Sequence, residues 1–268
     1  MNTQPALYVP HGGGPCFFME WPGNPHVWDK MAAMLQSIPQ RVPEPPKAIL
    51  LVTAHWEAPV FTFAGGQQPH LEYDYYGFPP HTYEITYRAQ GAPQLAQRAA
   101  QLLRDAGIDA TVDNNAAWDH GVFIPLKVAY PNEDVPVLAM SLKRGLNPAD
   151  HLAAGKALAA LRNEGVLIIG SGLSYHNLRA FFSPASGDAQ ASRQFDNWLM
   201  EACARDEAGR AEELQQWSTA PAARQVHPRE EHLLPLMVIA GAGAADTGEA
   251  FYQEVVFGKA VSAIGFGL

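Results

Sequence analysis

Four short runs of apolar residues along the chain predict buried β-strands. They cover residues 6–9, 48–53, 135–140 and 166–169. Each run is almost continuously aliphatic and does not alternate with polar residues, which is typical of strands that are covered on both faces. The sequence therefore predicts a parallel or mixed sheet between two layers of other structure.

Apolar residues recur at helical spacing in the stretches between and after these strands. Helices are predicted over residues 93–106, 148–162, 192–204 and 208–217, and a last helix from Pro228 to Ala240. Asn147 and Pro148 are typical N-cap and first-turn residues. The pattern predicts an α/β fold, a single domain over residues 1–268 with a central mixed, mostly parallel sheet flanked by helices.

The segment from Gly65 to Pro93 fits neither pattern. It is rich in tyrosine, with further histidine, phenylalanine, glycine and proline residues. A loop of this length in a compact domain is usually a lid or a binding element. The alternative, a surface loop held together by its own aromatic side chains, is equally consistent with the sequence.

Composition narrows the classes of function. The chain is 47% hydrophobic and 17% charged, with a formal net charge of -9 and no cluster of basic residues, which argues against a nucleic-acid partner. No leader peptide and no apolar run of about 20 residues is evident, so no membrane association is expected. The two cysteines, Cys16 and Cys203, have no CxxC spacing, and we expect free thiols in the cytoplasm.

The placement of the histidines is the most informative feature. His11 and His55 directly follow predicted strands, and His176 follows the strand at 166–169 across a short glycine-containing turn. His120 precedes a helical stretch, and His232 lies in the predicted first turns of the last helix. Ligands of open α/β sheets bind outside the carboxyl ends of the strands, so these imidazoles are predicted to converge there. Neutral imidazole is a common metal ligand and suits iron, zinc and manganese.

The other histidines lack this context. His151 is expected to be an ordinary surface residue of a helix, and His227 is assigned no role because its spacing from His232 does not match a helical face. The same holds for those that follow no predicted strand, namely His26, His70 and His81.

Other catalytic motifs are incomplete. The run from His11 to Gly14 matches the HGGG loop of some esterases, but no GxSxG nucleophile motif occurs. HExxH, GxxxxGK[ST] and a GxGxxG that follows a strand are also missing. A serine hydrolase is therefore disfavoured.

Five motifs together resemble a known family. They are YVPHGGGP at residues 8–15, TAHW at 53–56, WDHG at 118–121, GLSYHN at 172–177 and PREEHLLPL at 228–236. In this order, over nearly the whole chain, they resemble the LigB-type (class III) extradiol dioxygenases, and among these the DOPA 4,5-dioxygenase-like branch. One departure is Gly-Gly-Gly-Pro after His11, where many relatives have Gly-Ser-Pro.

The resemblance implies a mononuclear Fe(II) that opens a catechol ring with O2. It implies that His11 and His55 are metal ligands and that the third ligand is either His232 or Glu231. His176 matches the acid/base histidine of the family, although it is described as a fourth ligand in some relatives that hold zinc.

The resemblance also places His120 as a histidine that lines the substrate pocket. The first hypothesis is thus an Fe(II)-dependent extradiol dioxygenase acting on a catechol that is DOPA-like or otherwise substituted, with O2 as co-substrate. The alternatives are a zinc-dependent hydrolase or other redox-neutral metalloenzyme on the same scaffold, and a metal-holding or interaction protein that has lost catalysis. The sequence leaves the oligomeric state open.

Overall fold

Eight strands form one mixed sheet in the computed structural model, which describes residues 3–182 and 186–268. The strands are β1 (Ala6–Pro10), β2 (Ala48–Ala58), β3 (Phe61–Ala64), β4 (Ala110–Asp113), β5 (Val137–Lys143), β6 (Val166–Gly172), β7 (Gly248–Val256) and β8 (Lys259–Phe266). Their order in the sheet is β4-β3-β5-β2-β6-β1-β8-β7. The four central strands, β5, β2, β6 and β1, are parallel to one another, whereas β8 runs antiparallel to β1 and β3 antiparallel to β5. The predicted mixed α/β sheet is confirmed.

Helices cover both faces of this sheet. They are α1 (Asp29–Gln36), α2 (Ile38–Arg41), α3 (Pro93–Asp105), α4 (His120–Ala129), α5 (Pro148–Leu158), α6 (Ala160–Asn163), α7 (Leu178–Phe181), α8 (Ser186–Ala204), α9 (Glu207–Gln215), α10 (Ala223–Val226) and α11 (Leu234–Ala242). Short 3₁₀ turns occur at Cys16–Phe18, Pro80–Glu84 and Trp217–Thr219. Within the described residues, no helix combines the length and apolar character needed to cross a bilayer.

The contacts of two successive residues of β6, Gly170 and Ser171, show which helix lies on each face of the sheet. Gly170 lies against α11, where an added Cβ would be 2.8 Å from the carbonyl oxygen of Pro235. The hydroxyl of Ser171 donates to the carbonyl oxygen of Gly121 in α4. Because successive side chains of a strand point to opposite faces, α11 and α4 cover the two faces of the central sheet. The β6 end therefore lies between two helical layers.

Close backbone packing joins α11 to α5. A Cβ on Gly155 would lie 2.0 Å from the carbonyl oxygen of Val238, and one on Gly241 would lie 2.1 Å from that of Leu152. Only glycine permits this approach, so the two helices pack as one layer behind the parallel strands.

Several predicted boundaries were wrong. The last helix begins at Leu234 and not at Pro228, because residues 228–233 form turns and Pro235 occupies the first helical turn, where its missing N–H costs no hydrogen bond. The helix predicted over 148–162 is divided at Ala159 into α5 and α6. Four strands were not predicted, namely β3, β4, β7 and β8. Of these, β3 and β4 are short, and β4 and β7 are partly exposed edge strands.

The prediction that His151 is a surface residue was also wrong. His151 is fully buried. Its Nδ1 donates to the carbonyl oxygen of Asn147 at 2.8 Å, and its Nε2 accepts from the backbone N–H of Lys143 at 3.2 Å. The imidazole therefore ties the start of α5 to the end of β5.

The aromatic segment at 65–93 is held by its own side chains. The Tyr73 hydroxyl donates to the carbonyl oxygen of Ile85 at 2.7 Å, and the Tyr75 hydroxyl donates to that of Thr82 at 2.6 Å. The segment is joined to the loop before α4 by the N–H of Trp118, which donates to the carbonyl oxygen of His70 at 2.9 Å. Of the two alternatives, these bonds match the aromatic-stapled loop, and its position brings Asp74 beside the histidines.

Candidate active site

Two histidines are placed by the ends of neighbouring parallel strands. His11 directly follows β1, and its N–H donates to the carbonyl oxygen of Gly172 at the end of β6. His176 lies four residues beyond β6, where its N–H donates to the carbonyl oxygen of Val226. These two placements agree with the predicted convergence at the carboxyl edge of the sheet.

His55 differs from the prediction because it lies inside β2 and not after it. β2 extends to Ala58, and its pairing with β5 is interrupted between Val52 and Glu57. The irregularity includes His55, and such bulges re-aim side chains next to active sites. The side chain of His55 therefore faces the site, although β2 continues past His55 and pairs with β5 again from Glu57.

Three imidazoles meet through their Nε2 atoms. The Nε2 of His55 lies 3.3 Å from that of His11 and 3.1 Å from that of His232, which lies in the turn before α11. Two nitrogen ligands about 2.1 Å from one ion are roughly 3 Å apart at right angles and about 3.4 Å apart at a tetrahedral angle. The observed separations match this spacing.

The position of the proton on each of these three imidazoles follows from the hydrogen-bond partner of its Nδ1 atom. Nδ1 of His55 lies 2.8 Å from Asp74, and Nδ1 of His232 lies 2.9 Å from Glu231. An ionised carboxylate only accepts hydrogen bonds, so both Nδ1 atoms carry the proton.

Nδ1 of His11 also carries the proton, and here the evidence comes from a hydroxyl group and not from a carboxylate. Its Nδ1 lies 3.1 Å from the hydroxyl of Ser171, which already donates its hydrogen to the carbonyl oxygen of Gly121. The Ser171 oxygen can therefore only accept from His11. The unprotonated Nε2 atoms of His11 and His232 then both lie within 3.3 Å of the unprotonated Nε2 of His55, which is unfavourable unless a cation lies among them, so this donor set fits a divalent metal.

His120 is joined to the same network through Asp74. One oxygen of Asp74 accepts from both the backbone N–H and Nδ1 of His120, at 2.9 and 2.8 Å, while the other accepts from His55. The backbone contact is possible because Asp119 caps α4, accepting from the N–H of Gly121 at 2.8 Å and from the hydroxyl of Thr53. Sequence reasoning missed Asp74, whose one visible signal was its place in the aromatic segment.

His176 lies face to face with His232. The ring centroids are 3.3 Å apart and the planes differ by 17°. The Oε1 atom of Glu231 contacts Nδ1 of both rings, at 3.0 Å for His176 and 2.9 Å for His232. One carboxylate oxygen therefore orients two parallel imidazoles.

An apolar cavity of about 260 Å³ opens above the histidines. His11, His55, His120, His176 and His232 all line it. The remaining lining residues are Gly12, Gly13, Gly14, Trp28, Leu173, Leu178, Phe181 and Phe182. A larger cleft of about 650 Å³ between the α1–α2 region and residues 127–135 has none of these histidines, so the chemistry points to the smaller cavity.

The sequence matches the family described as the catalytic LigB subunit of aromatic ring-opening dioxygenase over residues 5–268. The dioxygenase tasH of Hapsidospora irregularis is 35% identical, with 96% of this chain and 84% of the relative covered. The 4,5-DOPA dioxygenase extradiol of Portulaca grandiflora is 38% identical over 80% of this chain and 78% of the relative. The chain belongs to the LigB family.

Fold comparison agrees with this assignment. The crystal structure of an uncharacterized protein from Escherichia coli K12 superposes with a TM-score of 0.78 and 25% identity, covering 98% of this chain and 99% of that one. As a LigB protein, the chain is a metal-dependent extradiol dioxygenase, and the redox-neutral hydrolase considered from the sequence is not favoured.

Burial and neighbouring charges favour the neutral forms of His11, His120 and His232 at this LigB site. Burial, reinforced by the neighbouring histidines, holds the pKa values of His11 and His232 well below the usual range. Burial also lowers the pKa of His120, against the opposing effect of Asp74. A neutral imidazole is the form that binds a metal.

Asp74 and Glu231 of the LigB site stay ionised. Burial opposes ionisation of Asp74, but hydrogen bonds from His120 and His55 outweigh it and hold its pKa well below the usual range. The Glu231 pKa is lowered in the same way, with burial outweighed by His176. For His55, burial is outweighed by Asp74 and other carboxylates, and its pKa is raised.

The remaining histidines lie outside the LigB site. His26, His70 and His81 are exposed. His227 is buried against Phe195 and Trp217, and its Nε2 lies 3.0 Å from the carbonyl oxygen of Ser174. Its contacts are those of a packed core residue.

Proposed function

We propose that this LigB chain uses Fe(II) to open the ring of a catechol with O2. The observation that carries the proposal is the close approach of the Nε2 atoms of His11 and His232 to that of His55. Each of the three rings is fixed by a hydrogen bond at its Nδ1. His11, His55 and His232 would hold the iron, which would supply the chemistry with O2. Imidazole also binds zinc, but zinc has no redox chemistry, and ring opening by O2 therefore favours iron.

The third ligand is proposed to be His232 and not Glu231. Nε2 of His232 lies 3.1 Å from Nε2 of His55, whereas the Glu231 carboxylate contacts the opposite nitrogen of the same ring. A carboxylate on Nδ1 of a metal-bound histidine raises the basicity of the ligand and fixes its orientation. Glu231 thereby supports His232 in place of binding the metal.

His176 is proposed to move protons and not to bind the metal. Its ring is nearly parallel to that of His232, so the in-plane lone pairs of the two Nε2 atoms run almost side by side and do not meet at an ion about 2 Å away. Its Nδ1 is held by Glu231, and its Nε2 is free to accept a proton from a catechol hydroxyl and return it to the product.

His120 is proposed to orient the ring. Because its Nδ1 donates to Asp74, its Nε2 can accept a hydrogen bond from the second hydroxyl of the substrate. The apolar walls of the cavity exclude water from the reacting groups. Bound Fe(II) supplies the reaction with O2 that these side chains cannot perform.

We also propose the domain organisation, the cellular compartment and the partners of the enzyme. Since the described strands form one sheet, we treat residues 1–268 as one catalytic domain. Cys16 and Cys203 are free and buried, which supports a reducing compartment such as the cytoplasm. A small catechol and O2 are the proposed partners.

Anaerobic reconstitution tests the function. Metal-free protein is loaded with Fe(II) or with Zn(II), mixed with catechol and exposed to O2. We expect a yellow semialdehyde with Fe(II) and one O2 consumed per ring opened, because both oxygen atoms enter the product. The zinc protein should consume no O2.

The controls use two histidines in different surroundings. His26→Ala, at an exposed position, should match the native protein, whereas His55→Ala should be inactive with either metal. Turnover of a hydrolysable substrate by the zinc form without O2 uptake, and no ring opening with iron, would overturn the proposal.

A further inference from the structure

We infer that the catechol opened by this enzyme has an uncharged, apolar substituent on its ring. The inference rests on the proposed function, since it concerns the part of the same substrate that lies farthest from the histidines. The curated relatives named for 4,5-DOPA act on a catechol whose side chain has an ammonium and a carboxylate. The cavity in this chain favours a different substituent.

The walls of the cavity, as far as the described residues form them, have no partner for a charge. Among the described residues that line it, the polar side chains are the five histidines, and none is Lys, Arg, Asp or Glu. The histidines are already engaged at Nδ1 and face the reacting end of the substrate. Bringing an ionised group into an apolar site without a partner costs several kcal/mol in general. A charged substituent would therefore be disfavoured inside the cavity.

The mouth of the cavity is built from large apolar side chains that remain exposed. Leu178 on α7 is 66% exposed and Phe182 is 56% exposed, and both line the cavity. They are among the few large hydrophobic residues that the described structure leaves open to solvent. Exposed apolar groups that adjoin a cavity mark a binding surface.

Aromatic packing holds this mouth in place. Phe182 stacks on Trp21, with centroids 5.8 Å apart and planes 17° apart, and packs edge-on against Phe257 at 5.0 Å. Trp28, which lines the cavity wall, contacts both Trp21 and Phe257 at 5.6 Å. The apolar surface is thus continuous from the wall to the rim, and a substituent that follows it would bury Leu178 and Phe182.

Arg179 is the cation next in sequence to the rim residue Leu178. It lies on α7 and is exposed. A flexible guanidinium that turned over the mouth could bind a carboxylate on the substituent, which would favour an acidic catechol. The experiment must therefore distinguish a preference for apolar substituents from a preference for acidic ones bound by Arg179.

The test compares 4-propylcatechol with 3-(3,4-dihydroxyphenyl)propanoate and DOPA, using unsubstituted catechol as the reference. Dissociation constants are measured anaerobically by calorimetry on the metal-loaded enzyme, and kcat/KM is measured in O2. Since each buried CH₂ contributes about 0.8 kcal/mol, 4-propylcatechol should exceed catechol by roughly 10- to 50-fold in both measurements. The two charged substrates should show no gain over catechol.

Variants test whether the mouth of the cavity causes the preference for 4-propylcatechol over catechol. Phe182→Ala should reduce the ratio of 4-propylcatechol to catechol by roughly 5- to 10-fold, because part of the apolar rim is removed. Val255→Ala, which removes a similarly exposed hydrophobic side chain (62%) on β7, should leave that ratio unchanged. Arg179→Ala should also leave the preference unchanged.

The outcomes separate the two proposals. If DOPA or the propanoate binds and reacts as well as 4-propylcatechol, or if Arg179→Ala selectively weakens them, the substrate inference is wrong while the dioxygenase proposal stands. If no catechol is opened, unsubstituted catechol included, the dioxygenase proposal is wrong. In that case the anaerobic binding order still decides whether the cavity selects apolar substituents.

Discussion

Two carboxylates hold the two halves of the histidine cluster, and they do so differently. Asp74 uses separate oxygens for His55 and His120, whereas Glu231 presents the single atom Oε1 to both His232 and His176. Each carboxylate thus pairs one proposed ligand with one histidine whose Nε2 has no hydrogen-bond partner among the described residues, namely His120 or His176. Because one oxygen of Glu231 contacts both His232 and His176, these two rings are coupled more directly than His55 and His120, which contact different oxygens of Asp74.

The chemical consequence concerns where a proton can move. A proton gained by His176 increases the demand on the oxygen that also supports His232, so proton transfer and ligand strength are linked in that half. In the other half, His120 can accept a hydrogen bond with little effect on the contact to His55. We expect the Glu231 half to govern turnover and the Asp74 half to govern orientation.

The largest effect is expected from removal of a proposed ligand in either half. His55→Ala and His232→Ala should each lose stoichiometric metal binding, by more than the roughly 10–100-fold that loss of an outer carboxylate typically costs. Metal analysis after dialysis measures this, with His81→Ala as an exposed control. Full metal occupancy in either ligand variant would show that the site is misplaced.

Turnover should distinguish the two histidines that are free at Nε2. His176→Ala should keep iron and catechol binding while kcat falls by about 10²–10⁴, because the proton acceptor is missing. Its pH profile should also lose one limb. His120→Ala should act mainly on KM, since its proposed role is orientation.

Both variants are examined by iron titration and by steady-state kinetics in the same preparation. If His176→Ala binds iron weakly and reacts normally at saturating iron, His176 is a ligand and the contrast between the halves fails.

Neutralising the carboxylates should have a smaller effect. Asp74→Asn and Glu231→Gln should each weaken metal affinity or activity by roughly 10–100-fold. Because Glu231 serves both rings through one oxygen, Glu231→Gln should lower kcat as well as metal affinity, whereas Asp74→Asn should mainly lower metal affinity and raise KM. Equal effects on kcat in the two variants would contradict this division.

The smallest effect on catalysis is expected from a buried histidine that has no carboxylate on its ring and that affects stability. Burial, only partly offset by the carbonyl of Asn147, lowers the pKa of His151 to about 4, whereas His55 beside Asp74 has a raised pKa. Between about pH 6.5 and 4, unfolded His151 binds a proton and the folded residue does not. Its contribution to stability is therefore present above about pH 6.5 and is lost as the pH falls toward 4, by up to about 1.4 kcal/mol per pH unit.

Urea unfolding of the metal-free protein across this range measures the slope. His151→Gln, which retains a donor and an acceptor, should unfold with a smaller pH dependence below about pH 6.5. Above that pH, the stabilities of the two proteins should run parallel. An unchanged slope in the variant would show that His151 does not contribute to the acid sensitivity.

Local sequence determined the central strands and the histidines that could act together. The aliphatic runs at β1, β2, β5 and β6 are covered on both faces, so hydrophobic burial alone specifies them, and His11 and His176 follow their ends. The edge strands β4 and β7 were missed because an edge strand buries little and its pairing depends on neighbours distant in sequence.

Tertiary structure decided the finer chemistry. Asp74 lies 19 residues from His55 and 46 from His120, and no local periodicity links them; the packing of the aromatic segment against Trp118 does. The choice between His232 and Glu231 depends on which atom of one turn faces His55, since both residues stand side by side in the sequence. The apolar mouth at Leu178 and Phe182 arises in the same way, because burial and exposure are properties of how segments pack and not of the residues themselves.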